Sequence, residues 1–139
     1  MKLYFSHPTF TFNTKTEKKC IKIILEHLEV EELINPADYG LKESTKDKLR
    51  KADGVVGMAI GAKFTYLVWK EMEINGNEEN FYTFMVEGKK SIGPLVEGVP
   101  EKIKKLSKEE SNRFANKITK EDYKEGFMNM LFGGTGGRF

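Results

Sequence analysis

A run of small and apolar residues from Gly54 to Ile60 is the feature that most constrains the fold of this chain. A run without polar side chains predicts a strand that is covered on both faces, as in a parallel sheet between two helical layers. The following residues, 64–75, space their apolar side chains as a helix does, and they carry the carboxylate of Glu71. A helix in this position starts at the carboxyl edge of the sheet, where α/β folds place their sites.

The rest of the chain alternates strand and helix patterns. Strand patterns occupy residues 2–5, 33–36, 54–60 and 80–86. Helix patterns lie between them, from Thr14 or Thr16 to about residue 29, over residues 43–51, and over residues 64–75, with Asn75-Gly76 as the stop. This order predicts an α/β fold, a flavodoxin/Rossmann-like three-layer sandwich with a central parallel sheet of four to five strands.

The last third of the sequence is interrupted by glycine and proline. Residues 91–100 contain two such breaks, which predict a loop or a short edge strand. Helix-start patterns at Ser107 and Thr119 predict one helix to about residue 117 and another through Leu131. We expect a single α/β domain over residues 1–132 and a Gly-rich C-terminal tail over residues 133–139, interpreted as a flexible end.

Composition argues against several classes of partner. Within 139 residues, Lys plus Arg number 23 and Asp plus Glu 21, a net charge of only +2, so we expect neither a nucleic acid nor a membrane as partner. The lysines at positions 102, 104, 105 and 108 lie beside Glu101, Glu109 and Glu110 and form a mixed face rather than a basic groove. The single Cys20 excludes an intrachain disulfide and is typical of a small buried hydrophobe in a cytoplasmic protein.

Metal and cofactor chemistry has no pattern in this sequence. His7 and His27 are the only histidines, and no Asp or Glu cluster stands near them at ligand spacing. Neither a nucleophile elbow nor a phosphate-loop lysine motif is present. We therefore expect no metal and no cofactor.

Three short motifs resemble one known family. The first strand ends in Ser6-His7-Pro8-Thr9-Phe10, the pair Ala52-Asp53 precedes the buried strand, and Glu71 lies two residues after Trp69 in the next helix. Over roughly residues 1–85 these motifs resemble the nucleoside 2-deoxyribosyltransferase-like proteins, which have a flavodoxin-like fold. In that family the turn after the first strand contacts base and sugar, and the helix carries a catalytic glutamate.

The resemblance implies a function and a site. It implies cleavage or exchange at the N-glycosidic bond of a nucleoside or nucleotide, where a carboxylate near the anomeric carbon stabilises or traps an oxocarbenium-like sugar. Glu71 is then the catalytic residue, and the substrate-binding residues are Ser6, His7, Pro8, Phe10 and Asp53. It also implies a homodimer or a higher homo-oligomer.

Each candidate residue has an alternative role. Glu71 competes with Glu73, and either is also typical of a solvated helix face. Asp53 either holds a substrate hydroxyl or caps the turn before its strand. His7 either transfers a proton to a leaving base or is a loop histidine bonded to backbone. Phe10, with Tyr4, either stacks on a base or belongs to the core.

One difference from the family supports a second function. Where family members begin this helix with an Asp-Ser-Gly-Thr-like run, the present chain has Phe64-Thr65-Tyr66-Leu67. Bulky side chains prevent the close backbone approach that glycine permits. The alternative is therefore a non-catalytic member of the same fold that binds a nucleotide-like ligand or a protein partner.

Overall fold

The strand patterns of the sequence form one mixed sheet. The computed structural model describes residues 1–40, 42–88 and 91–121. In these residues the strands are β1 (Lys2–Ser6), β2 (Glu32–Ile34), β3 (Gly54–Ile60), β4 (Lys63–Phe64), β5 (Phe81–Gly88), β6 (Ser91–Glu97) and β7 (Lys104–Lys105). The helices are α1 (Lys15–His27), α2 (Pro36–Tyr39), α3 (Glu43–Lys51), α4 (Tyr66–Asn75) and α5 (Lys108–Glu121).

The centre of the sheet is parallel. Strands β2, β1, β3 and β5 lie side by side in that order and run in the same direction. Strand β6 extends the sheet beyond β5 and is antiparallel to it. The two-residue strand β4 pairs antiparallel with the carboxyl end of β3, and the two-residue strand β7 pairs parallel with β4.

Two apolar clusters make the molecule a three-layer sandwich. On one face of the sheet, Leu3 and Phe5 of β1 share a cluster with Cys20 and Ile24 of α1 and with Ala115 of α5. On the other face, residues of α3 and α4 pack against the sheet in a second cluster that includes Tyr4. Successive side chains of a strand point to opposite faces, so β1 contributes to both clusters. The predicted flavodoxin/Rossmann-like sandwich is confirmed.

Side-chain caps explain where several helices begin. The Thr14 hydroxyl accepts a hydrogen bond from the Glu17 N–H at the start of α1, at 3.2 Å. Ser107 and Glu110 form a reciprocal capping box at the start of α5, with both bonds at 3.1 Å. Helix α4 ends where predicted, at Gly76, whose positive φ of 73° gives the left-handed cap that glycine favours.

The structure decides one open prediction about the elements and differs from two others. Of the two alternatives for residues 91–100, the edge strand is the one observed: residues 91–97 pair antiparallel with β5, from which only two residues separate them, a connection short enough for a hairpin. The Asn35-Pro36 pair begins the short helix α2, with the Asn35 side chain accepting from the Ala37 N–H. Helix α5 continues through Thr119, so no new helix starts there. The rest of the predicted last helix and the Gly-rich tail lie outside the described residues.

Candidate active site

Helix α4 turns one carboxylate toward the sheet. Its buried residues are Val68, Glu71, Met72 and Asn75, a spacing of three and four that defines one face of a helix. Glu73 lies outside this face, is exposed, and pairs with Lys70 at 3.2 Å. The sequence did not decide between Glu71 and Glu73 as the candidate residue, and the structure shows that Glu71 is buried and Glu73 is exposed.

Two hydroxyl groups of β1 hold the Glu71 carboxylate. The Tyr4 hydroxyl donates to Oε2 at 2.7 Å, and the Ser6 hydroxyl donates to Oε1 at 2.6 Å. Tyr4 and Ser6 are two residues apart in a strand, which places both on the face covered by α4. Ser6 and Tyr4 thus both contact the predicted catalytic residue, and substrate binding by Ser6 stays a prediction.

Close packing between α4 and β3 brings the carboxylate this near to the sheet. Gly57 of β3 lies beneath the helix, where an added Cβ would come within 2.7 Å of the Met72 sulfur and 3.3 Å of the Phe64 ring. The absence of a side chain at Gly57 therefore allows α4 to approach the sheet. The Trp69 indole N–H donates to the Leu106 carbonyl at 2.8 Å and fixes the other side of the helix.

Burial changes the ionisation of the Glu71 carboxyl. Desolvation raises its pKa from 4.5 to about 7, although the hydrogen bonds from Ser6 and Tyr4 favour the charged form and oppose the rise. The pKa of the Tyr4 hydroxyl is also raised, first by burial and then by the neighbouring Glu71 charge, so Tyr4 remains a proton donor. Glu71 therefore exchanges its proton near neutral pH, the range in which acid–base and nucleophilic carboxylates act.

A pocket opens beside this carboxylate at the carboxyl end of β1. Its volume is about 480 Å³, and both Glu71 and Tyr4 are among its lining residues. Helices α3 and α4 form one side of the pocket, and the start of α5 together with the turn after β1 forms the other. A pocket of this size is within the range of small-molecule sites.

The turn after β1 supplies part of the pocket wall. Pro8 and Phe10, both predicted to bind substrate, line the pocket together with Thr9, whose role the sequence did not indicate. Phe10 is also part of the core cluster beneath α1 and α5, which is one of its two predicted roles, and stacking on a base stays a prediction. The hydroxyl oxygens of Thr9 and of Thr65, the residue before α4, are buried without a hydrogen-bond partner in the described part of the chain.

His7 lies on the opposite side of the sheet from Glu71. It is fully buried, its ring stacks on Phe5 with centroids 4.2 Å apart, and it is absent from the pocket lining. Its Nδ1 lies 2.8 Å from the Thr11 hydroxyl and its Nε2 lies 2.9 Å from Asn35 Oδ1. Burial lowers the pKa of the imidazole to about 4. The structure therefore does not bring His7 together with Glu71, because residues 3, 5 and 7 share one face and residues 4 and 6 the other.

Asp53 lies at the other end of the sheet. It precedes β3, and its carboxylate accepts a hydrogen bond from the Lys2 backbone N–H at 2.7 Å. Asp53 therefore lies at the amino edge, outside the residues that line the pocket. The structure therefore does not bring Asp53 together with Glu71 and gives its carboxylate a structural partner in β1.

Comparisons with known proteins add no identification. The chain matches no family model, no curated protein and no solved structure. Within the described residues, no group of three or more His, Cys, Asp or Glu side chains is placed to hold a metal ion. None of the helices described here is both long and apolar enough to cross a membrane.

Proposed function

We propose that this chain cleaves or exchanges the N-glycosidic bond of a nucleoside or nucleotide, with Glu71 as the catalytic residue. The observation that carries the proposal is the Glu71 carboxylate, buried on the wall of a 480 Å³ pocket and held by the Tyr4 and Ser6 hydroxyls. A carboxylate fixed in this way has a defined position and needs little reorganisation when positive charge develops on a sugar.

The reaction follows from the chemistry of a fixed carboxylate. The bond between the anomeric carbon and the base nitrogen breaks, and its electron pair leaves with the base, which takes up a proton. The ionised Glu71 either stabilises the oxocarbenium-like sugar or bonds to the anomeric carbon as a glycosyl ester. Water then completes a hydrolysis, or a second base completes a transfer, and the carboxylate is regenerated.

The hydroxyl donors have a defined role in this scheme. Both donate to the ionised form of Glu71, so they oppose the effect of burial and keep part of the carboxyl charged at neutral pH. Because nucleophilic or electrostatic action requires the ionised form, we expect kcat/KM to rise with pH through about 7.

The test is a chromatographic assay for released or exchanged base. Purified protein is incubated with nucleosides, deoxynucleosides and their monophosphates, with and without a free acceptor base. The same assay is run with Glu71→Gln and with Glu73→Gln, a matched control on the exposed side of α4. Base release that is lost in the first variant and kept in the second supports the proposal. Release that survives Glu71→Gln, or no turnover by folded protein, contradicts it.

Ligand binding without turnover is the second candidate. It is favoured by Tyr66 and Leu67, two bulky residues that line the pocket where the resembled family has small residues. In that case a nucleotide-like ligand is bound and released intact, and Glu71→Gln changes only the affinity for that ligand. A homo-oligomeric state and a cytoplasmic location remain predictions that rest on the family resemblance and on the single cysteine.

A further inference from the structure

Positive charge is concentrated around the pocket. Lys42 and Lys46 at the start of α3, Lys70 of α4 and Lys108 of α5 all line it, whereas Glu71 is the one carboxylate among the lining residues. The chain as a whole has nearly equal numbers of basic and acidic residues, so the excess in the pocket does not follow from composition. Four lysines against one carboxylate among the lining residues favour an anionic ligand.

Exposed carboxylates near these lysines neutralise them only weakly. Lys46 lies 3.8 Å from Glu43, which also contacts Arg50 at 3.8 Å, and all three side chains are about half exposed or more. Lys70 lies 3.2 Å from the exposed Glu73. Exposed ion pairs of this kind are weak and readily exchange partners. A ligand anion can therefore recruit Lys46 and Lys70 at little cost.

At the start of α4 one backbone N–H is already hydrogen-bonded, and bulky side chains line the pocket. The Tyr66 N–H already donates to the Ser111 hydroxyl at 2.7 Å, and the first turn contains no glycine. The side chains of Tyr66 and Leu67 line the pocket at this point. The cationic side chains that line the pocket are lysines, so we expect lysines to be the main partners of a phosphate there.

Two threonines of the pocket wall have buried hydroxyl oxygens. Thr9 and Thr65 line the pocket from opposite segments, and the hydroxyl oxygen of each is buried without a hydrogen-bond partner among the described residues. Both residues are more than nine-tenths buried. Neither oxygen has surface open to the pocket, so the lysines, and not these hydroxyls, are the groups available to an incoming anion.

We propose that Lys42, Lys46 and Lys70 form an anionic subsite that binds a phosphate monoester of the substrate. Lys42 and Lys46 are one helical turn apart and lie on the same side of α3, so both ammonium groups can reach one phosphate. This inference rests on the proposed function for the identity of the rest of the ligand. It makes a nucleoside monophosphate, rather than a nucleoside, the preferred substrate class.

The test is a binding measurement that separates the phosphate from the rest of the ligand. Isothermal titration compares a deoxynucleoside, its 5′-monophosphate and deoxyribose 5-phosphate, each with Glu71→Gln protein so that turnover does not interfere. The same titrations are repeated after adding Lys42→Gln and Lys46→Gln together. The matched control is Lys51→Gln, an exposed lysine of α3 that does not line the pocket.

We expect the monophosphate to bind about tenfold or more tightly than its nucleoside. The double lysine variant should lose that advantage, and Lys51→Gln should keep it. Equal affinity for nucleoside and monophosphate, or an advantage that survives the double variant, overturns the subsite. Lysine-dependent binding of the monophosphate without base release supports the subsite and contradicts the proposed function. Base release from nucleosides, with equal affinity for nucleoside and monophosphate, supports the proposed function and overturns the subsite.

Discussion

Replacing the buried Glu71 with glutamine should stabilise the protein, and the gain should depend on pH. The carboxyl has a pKa of about 7 in the folded protein and an ordinary value of 4.5 when unfolded. Because the folded value is raised, ionisation favours the unfolded chain, and wild-type stability falls as pH rises from 4.5 to 7. At about 1.4 kcal/mol for each pKa unit, the destabilisation above pH 7 is about 3 kcal/mol.

Glutamine has nearly the same shape but no charge to lose or gain. Its amide can accept a hydrogen bond from one of the Tyr4 and Ser6 hydroxyls and donate to the other oxygen. Glu71→Gln should therefore match the wild type near pH 4.5 and exceed its free energy of unfolding by about 2–3 kcal/mol at pH 8. His7 and Glu17 also have shifted pKa values, but they are present in both proteins and cancel in the difference.

Urea denaturation followed by tryptophan fluorescence measures this difference, since Trp69 is the only tryptophan. Transitions are recorded at half-unit steps from pH 4.5 to 8.5 for wild type, Glu71→Gln and Glu73→Gln. The control residue is exposed, so its substitution should change the free energy of unfolding by less than about 1 kcal/mol at every pH. A Glu71→Gln difference that is flat with pH, or a wild type that is more stable at pH 8, would refute the reasoning.

Three further predictions concern the neighbours of Glu71 and the frame of the sheet. Tyr4→Phe removes a hydrogen-bond donor to the charged Glu71 carboxylate, a bond worth about 1.5–3 kcal/mol. The pH at which kcat/KM rises should therefore increase by about one to two units, and an unchanged pH profile argues against this bond. Ser111→Ala removes the cap on the Tyr66 N–H and should lower the free energy of unfolding by about 1 kcal/mol in urea titrations. Gly54→Ala should cost about 1–3 kcal/mol, because its Cβ would collide with the Asn80 backbone carbonyl, while kcat/KM of the folded fraction stays unchanged.

The sequence was sufficient to predict most of the fold because its patterns are local. The apolar run of β3, the helical spacing of α4 and the caps at Thr14 and Ser107 depend on neighbouring residues alone. The antiparallel direction of β6 was not predicted, because two Gly/Pro breaks concealed its strand pattern. The two-residue strands β4 and β7 are too short to carry any pattern.

The candidate site was predictable only in part. Motif resemblance indicated Glu71 and the turn containing Pro8 and Phe10, and all three line the pocket. Strict alternation along β1 would have placed Tyr4 with Ser6 and put His7 on the other face, but the resemblance drew attention to consecutive residues. The lysines of the pocket come from three separate helices, so no local pattern could have assembled them.

Strands β2 and β6, two of the outer strands of the sheet, restrict how copies of this chain can associate. Strand β2 has three residues, and β6 pairs with β5 alone among the described strands and contains Pro94, which has no backbone N–H to donate. Short strands and prolines at a sheet boundary are features that oppose the intermolecular strand pairing that leads to aggregation. We therefore expect several copies to associate through their helix surfaces, without pairing between strands of different subunits.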